Sequence, residues 1–262
     1  MARFKLTIEY EGTRYRGWQA QKGQRTVQGE FFSVFDKIFE GKNIEFYGAG
    51  RTDSGVHALA QVAHLGVDVN IPLQTLQYRI NDLLPPDIHV LSVEKALPHF
   101  HARYDAVARS YVYLISKRRT AFEKQHCWWI KDPLDVEAMK QAASLFAGMH
   151  DFASFTDPLP DKESTRVEVR FAEVYNQPES IAVHITGSHF LWKMVRRMVG
   201  VLVEVGRGNF SEQSVEGFLT EKSQQPAPFT APSSGLFLHR IYYPGDKILQ
   251  GETVLPRLLN FR

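Results

Sequence analysis

Alternation opens the chain. Phe4, Leu6, Ile8 and Tyr10 interleave with Arg3, Lys5, Thr7 and Glu9, the two-residue period of a half-buried strand. A polar, glycine-containing loop runs on to Arg25. There the period changes. Thr26 suits a helix N-cap, Val27, Phe31, Val34, Phe35 and Ile38 share one helical face, and Gly41 is placed to stop the helix. Residues 44–49 and 60–67 read as strands. A helix follows over 73–84, halted by Pro85-Pro86, and then a strand over 88–95.

The second half repeats that order. A strand over 107–116 precedes a helix over 135–147 that ends at Gly148. Val167, Val169 and Phe171 alternate in a strand, and residues 181–187 form the next one. A helix over 190–205 carries Leu191, Met194, Val195, Met198 and Leu202 on one face. A small extra helix and a Pro- and Ser-rich loop at 223–234 lead to a final strand over 236–243.

Each half therefore reads β-α-β-β-α-β, the ferredoxin-like order. The fold class is α+β, with an N-terminal half over residues 1–105 and a C-terminal half over residues 106–262. The duplication is one of element order, not of residues. Two such units side by side can share a largely antiparallel sheet, with a central cleft left for a ligand. Two independent α+β domains are the alternative.

Composition adds limits. The 262 residues are 44% apolar and 23% charged, ordinary for a soluble globular chain with a sizeable core. A net charge of +2 does not announce a polyanionic partner. The basic residues are uneven, however. Arg14, Arg16, Lys22 and Arg25 lie close together, as do Lys117, Arg118 and Arg119, and Lys193, Arg196 and Arg197. Any one cluster is most simply a solvated face; three suggest a local basic groove for RNA phosphates. Cys127, beside Trp128 and Trp129, is the single cysteine, which suits a packed thiol and a reducing compartment. No apolar leader opens the chain and no apolar run reaches membrane length, so a cytoplasmic protein without a membrane partner is expected.

The chemistry-bearing segment is residues 48–58. Gly48, Gly50 and Gly55 flank Arg51, Asp53 and His57 in a loop between two strands. Its glycine spacing does not fit a dinucleotide fingerprint, and a strand rather than a helix follows. Ser54 with His57 is half of a hydrolase triad, but no nucleophile elbow surrounds Ser54. Taken alone, Asp53 reads as an Asx-turn residue. His99, His101 and Cys127 make no zinc set, and no metal is expected.

The segment Gly50-Arg51-Thr52-Asp53-Ser54-Gly55-Val56-His57-Ala58 resembles the signature of the tRNA pseudouridine synthase A family. So do Tyr10-Glu11-Gly12-Thr13 with Gly17-Trp18-Gln19 and Thr26-Val27-Gln28, Ala108–Tyr113, His150–Phe155, Phe190–Gly200 and Ala231–Leu236, in family order across nearly the whole chain. One departure is Arg197, where asparagine is more usual.

The resemblance implies a pseudouridine synthase fold and the conversion of uridine to pseudouridine. The N1–C1′ bond breaks, the uracil turns, and C5 rejoins the sugar. No redox change or group donor is involved, so no cofactor is expected. Asp53 becomes the catalytic carboxylate, attacking C1′, attacking C6 or assisting a glycal route. A carboxylate in a dry pocket needs a balancing cation, and the family assigns this to Arg196. Helical periodicity by itself does not choose between Arg196 and Arg197. Tyr111 would stack on the uracil, with Tyr113 on the same strand face as second candidate. Arg51 would hold the flipped nucleotide. The implied substrate is the anticodon stem-loop of tRNA at uridines 38, 39 and 40, bound by a homodimer. A non-catalytic RNA-binding module is the main alternative, although no RNP1-like aromatic pattern accompanies it.

Overall fold

The computed structural model describes residues 1–158 and 164–251. Of the C-terminal half expected over 106–262, residues 159–163 and 252–262 thus lie outside the described residues. The chain divides into two compact units. One comprises Met1–Val107 with Phe237–Asp246; the other comprises Ala108–Leu236 and the described residues from Lys247.

In the first unit, β1 (Ala2–Tyr10) buries the alternating set Phe4, Leu6, Ile8 and Tyr10. α1 (Val27–Ile38) starts where Thr26 accepts the Gly29 amide at 3.2 Å, the N-cap its hydroxyl predicts. β2 (Glu45–Gly48) and β3 (His57–Val67) form an antiparallel hairpin. α2 (Leu73–Leu83) ends before Pro85-Pro86, and β4 (Ile88–Lys95) follows. The sheet runs β4-β1-β3-β10 with β2 also on β3, where β10 is Leu236–Tyr242. β1 pairs antiparallel with β3 and β4. β10 is parallel to β3, through Phe237↔His57 and Leu238↔Ala58. The strand that closes the second half's element order therefore groups with the first unit. Trp18 anchors the core here, its ring 6.0 Å from Tyr10, 6.4 Å from Phe31 and 6.0 Å from Phe46. Burying one such aromatic side chain removes roughly 150–250 Å² from water.

In the second unit, β5 (Ala108–Ser116), β9 (Ser180–Gly187), β8 (Arg166–Asn176) and β7 (Gly148–Asp151) form an antiparallel sheet in that order. A short β6 (Trp128–Trp129) lies parallel to β5. α3 (Val136–Ser144) packs on β8 and on α4 (Met194–Gly206), and α5 (Glu212–Thr220) is the small extra helix. α3 is shorter than expected. The amides of Leu145, Phe146 and Ala147 turn to carbonyls three residues back, which tightens the chain and delivers Gly148 into β7. Cys127 is buried as expected, its thiol on the Glu123 carbonyl at 3.2 Å. No described helix is long and apolar enough to cross a membrane.

Candidate active site

Asp53 lies in the connection between β2 and β3, half-buried, in the first unit. The segment 10–18 clamps this loop from both sides of the aspartate. Before it, the Trp18 amide donates to the Thr52 carbonyl at 3.1 Å, and the hydroxyls of Tyr10 and Thr52 meet at 2.7 Å. After it, the Ser54 hydroxyl and the Gly55 amide both donate to the Tyr15 carbonyl, at 3.2 and 3.3 Å. A β-bulge between Ile8 and Tyr10 shifts the register on β3, so that Tyr10 pairs Ala58. Bulges re-aim side chains in this way beside functional loops. Gly17, at φ 86°, is a close seat: a Cβ there would stand 2.4 Å from the Thr52 oxygen. The sequence reading missed this clamp, because its bonds run from one loop to another and carry no periodicity.

Ser54 and His57 do not form a hydrolytic couple. The Ser54 proton is directed to the Tyr15 carbonyl. His57 is buried, stacks on Phe237 at 4.7 Å, and accepts the Gly12 amide on Nδ1 at 3.0 Å. Glu11 approaches the same nitrogen at 3.4 Å. A nitrogen that accepts an N–H has no proton to share, so we read that approach as a contact and not an ion pair. His101 is likewise structural, its Nδ1 taking the amides of Arg103 and Tyr104, both at 3.2 Å. Arg51 is exposed, and its Nε donates to Gln19 at 3.1 Å. Gln19 in turn donates to Gln28 at 2.7 Å, and Gln28 to the Phe46 carbonyl at 3.0 Å, a relay that orients the arginine from the core.

Tyr111 and Arg196 belong to the second unit. Tyr111 and Tyr113 share a strand face by period, yet their surroundings differ. Tyr113 is 0% exposed and donates its hydroxyl to the Pro232 carbonyl at 2.8 Å. Burial pushes that hydroxyl well above its ordinary pKa, with Arg196 opposing. Tyr111 is half-buried, with Phe190 edge-on at 5.2 Å. The two arginines are separated as clearly. Arg197 is 4% exposed and ion-paired with Asp157. Arg196 is the one residue of α4 that is not buried, and its Nε donates to the Ala231 carbonyl at 2.7 Å.

α4 begins later than the expected 190, because Lys193 takes a left-handed φ of 62° as its N-cap. Arg196 consequently sits in the first helical turn. A cation there opposes the helix dipole by about 0.3–1 kcal/mol. Helix stability does not account for that placement, and broken local rules of this kind collect at functional sites.

The basic clusters are partly committed. Arg14 pairs with Asp87 at 2.6 Å, and Tyr15 donates to the same carboxylate at 2.5 Å. Burial works to raise the Asp87 carboxyl, but those two bonds outweigh it and hold it below the ordinary range. Arg25 pairs with Glu30, and Arg118 with Glu179. Arg16 and Lys22 are exposed.

A family model described as tRNA pseudouridine synthase matches residues 6–105 and 142–244. Arg51, Asp53 and Arg196 fall inside those stretches, and Tyr111 falls between them. The chain is 40% identical over 247 residues to tRNA pseudouridine synthase A of Maridesulfovibrio salexigens, covering 93% of this chain and 91% of that protein. It is 39% identical over 245 residues to the protein of that name from Thermoanaerobacter sp. strain X514 (93% and 100% covered) and 36% identical over 250 residues to that of Staphylococcus aureus strain MRSA252 (95% and 94%).

Proposed function

Because the chain belongs to the tRNA pseudouridine synthase family, we propose that it isomerises uridine in the anticodon stem-loop of tRNA, at positions 38, 39 and 40, with Asp53 as the catalytic carboxylate. The activity itself, conversion of tRNA uridine to pseudouridine, is that of the family. The observation that carries the role of Asp53 is the clamp: four bonds on its neighbours Thr52, Ser54 and Gly55 hold the loop on both sides of it. A fixed loop holds a carboxylate in one place for reaction, which is worth more than its basicity alone.

The isomerisation balances within the substrate. The N1–C1′ bond breaks and C5–C1′ forms; C5 loses a proton and N1 gains one. A carboxylate serves each open route: as nucleophile at C1′, as nucleophile at C6, or as base for a glycal. No cofactor has a task in it. Tyr111 stacks on the extruded uracil, Arg51 holds the displaced nucleotide, and Arg196 supplies positive charge to the site. The contrast between half-exposed Arg196 and buried, Asp157-bound Arg197 supports that assignment. The enzyme acts as a homodimer in the cytoplasm.

Unmodified tRNA transcript is incubated with wild type, Asp53→Asn or Arg196→Ala, and pseudouridine is mapped by carbodiimide-dependent primer-extension stops. Stops in the anticodon arm are expected with wild type and not with Asp53→Asn, which still binds tRNA, and severely slowed formation is expected with Arg196→Ala. Equal formation by the Asn variant removes Asp53 from the chemistry. tRNA binding without stops from any of the three proteins favours a non-catalytic RNA-binding module.

A further inference from the structure

We propose that Trp192 is a stacking platform for an unpaired tRNA nucleotide beside the target uridine. The inference rests on tRNA being the substrate. Trp192 is 56% exposed, unusual for the residue with the largest apolar surface to bury. It is also held in place. Its carbonyl accepts the Thr156 hydroxyl at 3.0 Å. Lys193, next in the chain, is the one non-glycine residue at positive φ among the described residues, a backbone shape costly for any side chain with a Cβ. The Lys193 ammonium lies 4.1 Å from the Trp192 ring centroid and is itself fixed by Asp157 at 2.7 Å. Asp157 also holds Arg197 at the start of α4. The ammonium occupies one face of the ring, and the side chain is still more than half exposed. Backbone strain of this kind, here on the residue that follows the indole, is found at ligand-contacting sites.

Position in the chain names the ligand class. Phe190, two residues before, is edge-on to Tyr111, and Arg196 follows four residues after. The platform therefore belongs to the same short segment as Arg196 and as Phe190, the ring packed against Tyr111. Extruding a base from a stem-loop leaves its neighbours without stacking partners. An aromatic face takes any base, which suits an enzyme that must accept several adjacent uridines.

The protein has four tryptophans, so subtracting the emission of Trp192→Phe from that of wild type isolates Trp192. Titration with unmodified tRNA should quench this component. In the pseudouridine assay, Trp192→Ala should raise KM for tRNA roughly five- to hundredfold, the loss expected for one base–aromatic stack, with kcat kept. Trp192→Phe should stay near wild type. An unquenched Trp192 component at saturating tRNA overturns the proposal, as does an unchanged KM in Trp192→Ala. Loss of kcat and melting temperature instead of KM makes Trp192 structural and also overturns it. Loss of self-association in Trp192→Ala, with tRNA quenching absent, assigns the residue to a contact between chains. Should Trp192→Ala fail to fold, the Phe variant and the quench decide alone. Quenching by a wild type that makes no pseudouridine leaves the platform standing and sinks the catalytic reading.

Discussion

Substituting Gly17 by Ala tests whether the loop clamp controls Asp53, and Gly23→Ala is its matched control. Both glycines lie in the loop between β1 and α1 at positive φ, 86° and 73°. The left-handed backbone costs an alanine about 1–2 kcal/mol at each. The change in unfolded-chain entropy is the same and cancels. Only the space differs. A Cβ on Gly23 meets nothing within 4 Å, whereas one on Gly17 meets the Thr52 oxygen at 2.4 Å and the Asp53 carbonyl carbon at 3.2 Å. Ordinary contact there requires the Thr52 carbonyl to retreat by about 1 Å. That breaks the Trp18-to-Thr52 bond, worth about 1 kcal/mol. Gly17→Ala should therefore cost about 2–3 kcal/mol in all and Gly23→Ala about 1–2. At roughly 2–4 °C per kcal/mol, melting falls by about 4–12 °C and 2–8 °C. A 1 Å displacement beside a reacting group costs on the order of 100-fold in rate. Single-turnover pseudouridine formation, with tRNA affinity measured separately, should show that loss for Gly17→Ala alone. Coincident melts together with equal rates in the two variants would refute the clamp.

Further expectations concern the second unit, a histidine and the thiol. Tyr113→Phe should leave turnover intact but cost about 0.5–1.5 kcal/mol in urea unfolding, because its hydrogen bond to the Pro232 carbonyl is lost; Tyr111→Ala should do the reverse, slowing turnover with little change in the urea midpoint. Burial, with Arg240 adding, pushes His239 down to about 4. The unfolded chain, titrating near 6.5, then binds more protons than the folded one, so this contribution is present above pH 6.5 and is lost as pH falls towards 4. Urea midpoints across that window should decline, and His239→Gln should flatten the decline. Burial and then Glu123 push the Cys127 thiol up to about 11, so a maleimide at pH 8 should label it slowly until the protein unfolds.

Local chemistry made much of the fold readable. The alternation of β1, the Thr26 cap of α1 and the Pro85-Pro86 stop of α2 are properties of neighbouring residues, and each element stands where its pattern predicts. The candidate residues Arg51, Asp53, Tyr111 and Arg196 were legible only through resemblance in their blocks; spacing alone left Asp53 an Asx-turn residue. Where a choice depended on partners distant in sequence, pattern did not reach it. Period placed Tyr111 and Tyr113 on one face, and the Pro232 carbonyl singled out Tyr113 for the core. Helical phase left Arg196 and Arg197 equivalent, and Asp157 took Arg197.

The sequence by itself determined the types of the main elements and, by its blocks, the family and the residues to examine, while the short strands β6 and β7 carried no readable pattern. Tertiary structure alone decided that β10 joins the first unit by parallel pairing with β3, that α4 starts at Met194 so that Arg196 falls in its first turn, and that segment 10–18 grips the Asp53 loop. Helical and strand periods arise from bonds between near neighbours and leave a trace in residue spacing. Strand pairing, loop-to-loop hydrogen bonds and the partnering of a buried charge join residues far apart in the chain, and they exist only once it has folded.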